Sequence, residues 1–565
     1  MWWPKGYGAP HLYDVEFCFE TDGKVTDKTS FKSGVRQMTY SEETYKPSGG
    51  MSVGSFGQSE PQRLSLFING RRFIGFGGNW GFGESNLNYR EREYDIAVAY
   101  HADMNFTMIR NWVGQIGDKE FYEACDRHGI MVWQDFWLAN PVDGPNPYYT
   151  EMFNANACDY LKRIRNHPSI GIYVGRNEGN PPAGIDDYLR GLVFREHPGL
   201  YYISNSAMGV VSGGGPYRAL SPKSYFQSYG HDKFHSERGM PNVMNYESML
   251  LTFGTDKIEP VNTSETPNPV YGLHDYTLGG GKGSSAQAAS SFNDMIEKAF
   301  GRPRDAKQFA EWAQWINYDG YRAIFEGRSE HRRGMLLWMS HSAWPSMVWQ
   351  TYDYYFDPNA AYFGCKKASE PLHIQWNPLR DDIEVVNYHA FDRTGLTATA
   401  SLFNQDGTLQ WTRETKLDIK EDQTVACFPL EQPETLSDTY FIKLSLTDSD
   451  GKQLSDNFYW RGKEDGNYKS LLQLPKVSVC KNVTVKKTGK EWLIRAVLKN
   501  EARTPALMLR LKVAGEKSGR MLLPVFYSDN YFSLLPGEVK EVDIRLYDAD
   551  TYGEKPVLEV LGFNL

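Results

Sequence analysis

Between Arg63 and about residue 380 the chain repeats one pattern. A short apolar, β-branched run is followed by a segment with helical apolar spacing, and then by another apolar run. The hairpin at residues 64–74 turns on Asn69-Gly70, the pair that best suits a two-residue turn. A helical segment at 91–102 leads into a strand at 106–112. Asp118 can cap a helix bearing Phe121, Ala124 and Cys125, Gly129 stops it, and a strand at 130–133 follows directly. A helix ending at 161–165 precedes a strand from Ile170, and Tyr201 to Ser204 make another short strand. Phe309, Trp312, Ala313, Ile316, Ala323 and Ile324 form a helical stripe behind an Asp305 cap, and Met335-Leu336-Leu337-Trp338 reads as one more buried strand. Repeated strand–helix units over about 300 residues predict a parallel α/β domain, and a (β/α)8 barrel suits that length. Helices are hard to see between Asn180 and Phe300.

From about Asp381 the period changes to short alternating strands separated by turn signals, as at 397–403 before Asn404-Gln405-Asp406-Gly407 and at 441–446. This predicts one immunoglobulin-like β-sandwich over 381–465 and, after the linker-like Asp465-Gly466-Asn467, a second over 466–565. Residues 1–62 hold strand-like pieces and a Gly/Ser-rich tract at 48–59, too little apolar sequence for a core of their own. They read as the remnant of a preceding Ig-like sandwich, ahead of a catalytic barrel at 63–380.

A net charge of −9 with no basic stripe argues against nucleic acid as a partner. No apolar run approaches the ~18 residues that span a bilayer, so no membrane partner is expected either. The six cysteines are scattered with no CxxC pair, which indicates neither a zinc site nor a disulfide framework. His231 and His235 have HxxxH spacing without the Glu of a zinc protease. Gly279-Gly280-Gly281-Lys282-Gly283 lacks the Ser or Thr of a phosphate loop and reads better as a flexible loop over the barrel mouth. No metal and no cofactor is expected. Asn105-Phe106-Thr107 and Asn482-Val483-Thr484 match the glycosylation pattern, a frequent chance match, and the first falls in an expected buried strand. Met1-Trp2-Trp3-Pro4-Lys5 has none of the regions of a signal peptide. Fifteen Trp and 35 Tyr are a rich supply of amphipathic rings of the kind that stack on sugars.

The stretch Ile170-Gly171-Ile172-Tyr173-Val174-Gly175-Arg176-Asn177-Glu178 runs from a buried strand into a carboxylate where the strand stops. Partial desolvation there raises a carboxyl pKa toward values that suit a general acid. A second carboxylate, Glu237, follows in Phe234-His235-Ser236-Glu237-Arg238-Gly239. Other expected strand ends are rich in polar and aromatic groups: Asn79-Trp80, Arg110-Asn111-Trp112, Trp133-Gln134-Asp135, Tyr217 and Trp338. Barrel enzymes work at the C-terminal ends of their strands. Two such carboxylates with aromatic walls describe a glycosidase, one protonating the leaving oxygen and the other attacking the anomeric carbon.

The ordered stretches INGRRFIGFGGNW, MNFTMIRNW, FYEACDRHGIMVWQDF, RNHPSIGIYVGRNE, GPYRALSPKSYF, FHSERGMP and GMLLWMSHSAWP resemble glycoside hydrolase family 2. The likeness is to its β-mannosidase, exo-β-glucosaminidase and plant-type endo-β-mannosidase branch, and it covers nearly the whole chain. The resemblance implies that Glu178, on the fourth barrel strand, is the general acid/base and Glu237, on the seventh, the nucleophile, with carboxyls about 5–5.5 Å apart as in retaining enzymes. It also implies that Asn177 bonds the sugar 2-hydroxyl, Arg110 orients the nucleophile and Trp338 floors the pocket, with Trp112, Asp135 and Tyr217 on its walls. The implied activity is that of a retaining exo-β-glycosidase, β-mannosidase-like, on oligosaccharide or glycan substrates, with glucosaminidase or galactosidase specificity as alternatives. A periplasmic or secreted location goes with that family. The glucosaminidase subgroup carries Ser-Asp where this chain has Asn177-Glu178. Family members also begin with a jelly-roll domain and a complete sandwich, so the chain reads as the C-terminal two-thirds of such an enzyme, and a truncated, inactive or conditionally active fragment is the competing reading.

Overall fold

A computed structural model describes residues 1–44, 62–227, 232–278 and 289–565. The Gly/Ser-rich tract, His231 and the Gly279–Gly283 run fall outside the described residues. The chain divides into two units, the first made of residues 1–215, 228–238 and 331–339 and the second of 216–227, 239–330 and 340–565.

In the first unit, β1 (Tyr13–Thr21) and β2 (Lys24–Ser33) pair as an exposed two-stranded ribbon. β3 (Met38–Thr44), β4 (Gln62–Ile68) and β5 (Arg71–Phe73) form a small antiparallel sheet. Asn69 and Gly70 turn the β4–β5 hairpin with φ of 48° and 82°, the left-handed pair that matches strand twist. Residues 38–44, on the N-terminal side of the Arg63 boundary expected from sequence, thus pair with the hairpin on its far side.

Eight parallel strands follow: β6 (Gly75–Trp80), β7 (Met108–Asn111), β8 (Met131–Asp135), β9 (Ile170–Arg176), β10 (Tyr202–Asn205), β11 (Val211–Ser212), β12 (Phe234–Arg238) and β13 (Gly334–Leu337). Their order in the sheet is β10-β9-β8-β7-β6-β13-β12-β11. The last strand pairs with the first, Gly334 opposite Gly75, which is the connectivity of a (β/α)8 barrel rather than of an open doubly wound sheet. Every residue of β7, β8, β9, β12 and β13 is buried, as expected where both faces of a parallel sheet are covered.

The intervening helices are α1 (Glu91–Asp103), α2 (Lys119–His128), α3 (Thr150–Ile164) and α4 (Ala183–Glu196). Gly129 ends α2 in the left-handed conformation, φ 72°. Asp118 stands at the α2 N-cap position, but its carboxylate accepts the Tyr94 hydroxyl at 2.6 Å and makes no cap bond. A buried phenol nearby competes for the carboxylate, and position alone does not reveal that competitor.

The N-terminal segment closes the strand-start end of the barrel. Trp2 is fully buried in one apolar cluster with Met38, Leu64, Ile68, Met108, Met131, Ile172 and Phe234, and its indole donates to the Asp126 carbonyl at 2.8 Å. Arg36 donates to the carbonyls of Pro168 and Ile170, and the Tyr40 hydroxyl to that of Gly171.

The second unit carries α5 (Pro222–Gln227), α6 (Tyr246–Phe253), α7 (Pro269–Gly272), α8 (Ser290–Phe300), α9 (Ala306–Glu326) and α10 (Ala360–Ala368). Asp305 caps α9 through the Gln308 amide at 2.8 Å. Two sandwiches follow. The first opposes a three-stranded and a four-stranded sheet over residues 372–462, and the second another such pair over 479–561. The strand Leu372–Asn377 lies ahead of residue 381, where the alternating pattern becomes visible, and is buried throughout, so it shows no polar face to read. Arg322 of α9 is buried over the Tyr459 ring and donates to Asp319, Asn457 and the Phe458 carbonyl, fastening that helix to the first sandwich. Close by in the chain, Asp353 and Asp357 are both buried, and burial together with their mutual repulsion pushes the Asp353 carboxyl up to about 8. Among the described residues no helix is long and apolar enough to cross a membrane.

Candidate active site

Arg110, at the end of β7, is fully buried and bonds three side chains. Nη1 donates to Glu237 Oε1 at 2.7 Å, and Nη2 donates to Asn177 Oδ1 at 2.8 Å and to Asp135 Oδ2 at 2.7 Å. Nε lies 3.1–3.2 Å from both Asp135 oxygens. Burial works against the guanidinium charge, and the Asp135 and Glu237 carboxylates more than offset it, so the Arg110 pKa stands above its ordinary value. One rigid fork therefore joins the ends of four barrel strands, bringing together Arg110, Glu237, Asn177 and Asp135.

Asp135, expected on the pocket wall, lies beneath the arginine instead. It has no exposed surface, and both oxygens are taken: Oδ1 accepts from Trp133 Nε1 at 2.9 Å and Oδ2 from Val113 N at 3.0 Å, besides the guanidinium. In this position it supports Arg110 from beneath. Nothing in the string Trp-Gln-Asp distinguishes a wall from a foundation.

Asn177 and Glu178 follow β9 directly. Gly175 just before them leaves little room for a side chain, because a Cβ there would run into the Tyr202 hydroxyl and stand 3.0 Å from the Ser204 carbonyl. The Asn177 amide is oriented by its neighbours. Oδ1 accepts from Arg110 and from Ser206 Oγ at 3.2 Å, which leaves the NH2 group as the donor available to a ligand. Glu178 is half-buried and takes φ of 47°, in the region that favours glycine. Its Oε2 lies 3.4 Å from Asn140 Nδ2, in the loop after β8.

Glu237 sits on an irregularity of β12. His235 is paired with Met335 and Arg238 with Leu337, so three steps on β12 oppose two on β13. A bulge of this kind re-aims a side chain. Asn79 of β6 spans it, donating to the carbonyls of Ser236 and Leu337 at 2.9 Å each, and Gly215 N holds the Glu237 carbonyl at 3.1 Å. Neither the bulge nor the Asn79 strap is visible in the sequence.

Trp338, directly after β13, is half-buried and meets Trp112 edge-on at 4.9 Å between ring centroids, which brings these two expected pocket aromatics together. Tyr217 belongs to the second unit, where its ring meets Trp349 at 6.1 Å. Trp80 is wholly buried and donates to His101 Nε2 at 3.0 Å, a core residue. Among the described residues no cluster of His, Cys, Asp and Glu could hold a metal ion.

Residues 457–565 match the family described as exo-beta-D-glucosaminidase Ig-fold domain. The chain is 27% identical to the mannosylglycoprotein endo-beta-mannosidase of Lilium longiflorum, over all of this chain and 69% of the relative. It is also 27% identical to the exo-beta-D-glucosaminidase of Streptomyces avermitilis, over all of this chain and 65% of the relative. The crystal structure of the Amycolatopsis orientalis exo-chitosanase CsxA superimposes with a TM-score of 0.87 at 24% identity, covering all of this chain and 69% of that one. The chain thus spans about two thirds of the length of the curated relatives it matches. Over its whole length the chain is thus similar to enzymes named as a mannosidase and an exo-glucosaminidase, the branch of glycoside hydrolase family 2 that its motifs resemble.

Proposed function

We propose that the chain is a retaining exo-β-glycosidase, β-mannosidase-like, that releases terminal β-linked sugars from oligosaccharides by double displacement. The observation that carries this reading is the single buried guanidinium of Arg110, which bonds Glu237 on one strand and the residue next to Glu178 on another. In the first step Glu237 attacks the anomeric carbon while Glu178 gives its proton to the leaving oxygen. In the second, Glu178 takes a proton from water, and the water displaces Glu237 from the glycosyl-enzyme. Arg110 keeps Glu237 ionised and aimed. The Asn177 NH2 group donates to the sugar 2-hydroxyl, a bond that strengthens as the ring becomes oxocarbenium-like. Trp112 and Trp338 supply the apolar wall against which the sugar face packs.

A second reading, exo-β-glucosaminidase, is supported by the last sandwich, whose match is to the glucosaminidase domain, and by the Streptomyces relative. Hydrolysis of a panel of 4-nitrophenyl β-glycosides (mannoside, glucosaminide, galactoside, glucuronide) separates the two. A strong mannoside signal supports the first reading and a strong glucosaminide signal the second. No hydrolysis by a cooperatively melting protein would refute both for this chain alone.

A further inference from the structure

Ser206, just beyond β10, has no place in the mechanism above, yet its hydroxyl is fully committed within the site. The side chain is wholly buried. Its Oγ accepts from the Glu178 backbone N–H at 3.0 Å and donates to Asn177 Oδ1 at 3.2 Å. Its own N–H donates to the Arg176 carbonyl at 3.1 Å. On the opposite side, the Asn177 N–H donates to the Leu138 carbonyl at 2.9 Å. The three residues that leave β9 are thus bracketed by the continuations of both neighbouring strands.

The bracket matters because Glu178 is not in a relaxed conformation. A non-glycine residue at φ 47° is disfavoured against the right-handed alternative, and it stays there only when its surroundings hold it. Leu138 fixes Asn177 but makes no bond to the Glu178 amide, whereas Ser206 Oγ does. A relaxed backbone at 178 would swing the carboxyl through a large arc about the Cα. We infer that Ser206 is a positioning residue for the proton-donating carboxyl: its hydroxyl pins the left-handed turn that aims Glu178 and also sets the Asn177 amide with its NH2 toward the sugar. This rests on the glycosidase reading and deepens it.

The two tasks predict different kinetic signatures. A leaving group that departs unaided, such as 2,4-dinitrophenolate, has little need of the acid in the first step, whereas an alkoxide cannot leave without it. The contact to the 2-hydroxyl serves both substrates alike. The experiment compares wild type, Ser206→Ala and Ser206→Thr on the 2,4-dinitrophenyl and methyl β-glycosides of whichever sugar the wild type accepts, reading kcat/KM. For Ser206→Ala the methyl glycoside should lose about 10²-fold, the scale of a misplaced catalytic group, and the dinitrophenyl glycoside several-fold at most. Ser206→Thr, which keeps the hydroxyl, should recover most of the loss. Equal losses on both substrates, or none, would overturn the role of Ser206 in positioning Glu178. If the alanine variant does not fold, the threonine variant decides alone: near wild-type rates on both substrates are the expected result, and a selective loss on the methyl glycoside despite the retained hydroxyl overturns the inference. A wild type inert toward both glycosides overturns the glycosidase reading itself, a result distinct from an active wild type with an indifferent Ser206.

Discussion

Asp135→Asn removes one charge and one acceptor from the centre of the site while nearly preserving shape, and the contacts allow its effect to be estimated. Asp135 accepts from donors on both sides: Trp133 Nε1 and Arg110 Nε at Oδ1, and Val113 N with Arg110 Nη2 and Nε at Oδ2. An asparagine has one acceptor oxygen. Whichever way the amide is turned, its NH2 group faces a donor, either the indole of Trp133 or the Val113 amide and the guanidinium. One buried donor is then orphaned, and a charge-assisted bond to Arg110 becomes neutral or repulsive. Orphaning a buried group costs about 1–3 kcal/mol, and the lost charge assistance adds a comparable amount. Removing one member of a buried ion pair typically destabilises by about 3–5 kcal/mol when the remaining charge has no other partner. Arg110 keeps Glu237, so the lower end applies, about 3 kcal/mol. For a unit of over 200 residues this corresponds to a fall in Tm of roughly 6–12 °C. Arg110 also loses its foundation and Glu237 its aim, which predicts a drop in kcat/KM of about 10²-fold. Thermal melts followed by circular dichroism and steady-state rates on the best nitrophenyl glycoside check both numbers. A variant that melts within 2 °C of wild type and turns over at more than half its rate would refute the view of Asp135 as the buried support of Arg110.

Glu237→Gln keeps the hydrogen-bonding shape but removes the attacking charge, so turnover should fall by at least about 10³-fold while the far-ultraviolet spectrum is unchanged; retained activity sinks the nucleophile assignment. Asp353, whose carboxyl is pushed up to about 8, is ionised more easily in the unfolded chain than in the folded one. Folding therefore binds a proton there, and stability from this residue falls as pH rises from the ordinary carboxyl range toward 8. Asp353→Asn leaves an oxygen for the Tyr355 and Asp357 amides, which both donate to Oδ1, and should raise the Tm at pH 9 while changing it little at pH 4; a gain of the same size at both pH values contradicts the reasoning. Trp2→Ala empties a fully buried indole site and strands the Asp126 carbonyl, predicting a loss of about 3–5 kcal/mol, measured by urea unfolding; a loss below about 1 kcal/mol would show that the N-terminal plug is dispensable.

The elements that could be read from the sequence were those with a local physical signature. The β9 strand shows as a continuous apolar run because both its faces are covered, and Gly129 and Asn69-Gly70 announce turns that need positive φ. The charged strand ends Arg110 and Glu237 were legible because charged groups are rarely buried without a partner, and they prove to be each other's partner. What could not be read was anything set by a neighbour far along the chain. The α4 helix opens behind Pro181-Pro182 with only a narrow stripe of Ile185, Leu189, Leu192 and Val193 buried, too weak a period to stand out. The role of Asp135 depends on which donors surround it, and the bulge at Glu237 on a register between strands about 100 residues apart in sequence. Ser206 is one of several serines in a polar stretch, and only the geometry singles it out.

The pairing of Gly334–Leu337 with Gly75–Gly78 has a consequence for how the protein comes into being. On the ribosome, β6 emerges more than 250 residues before the strand that must lie beside it. Throughout that interval one edge of the growing sheet presents unsatisfied backbone amides and carbonyls, the condition that invites pairing with another chain. β6 itself is Gly-Phe-Gly-Gly-Asn-Trp, three glycines in six residues. Glycine has a low strand propensity and no side chain to grip a foreign strand. A segment this poor at gripping a foreign strand stands at the edge that waits for β13, where a strong strand would be most hazardous during synthesis.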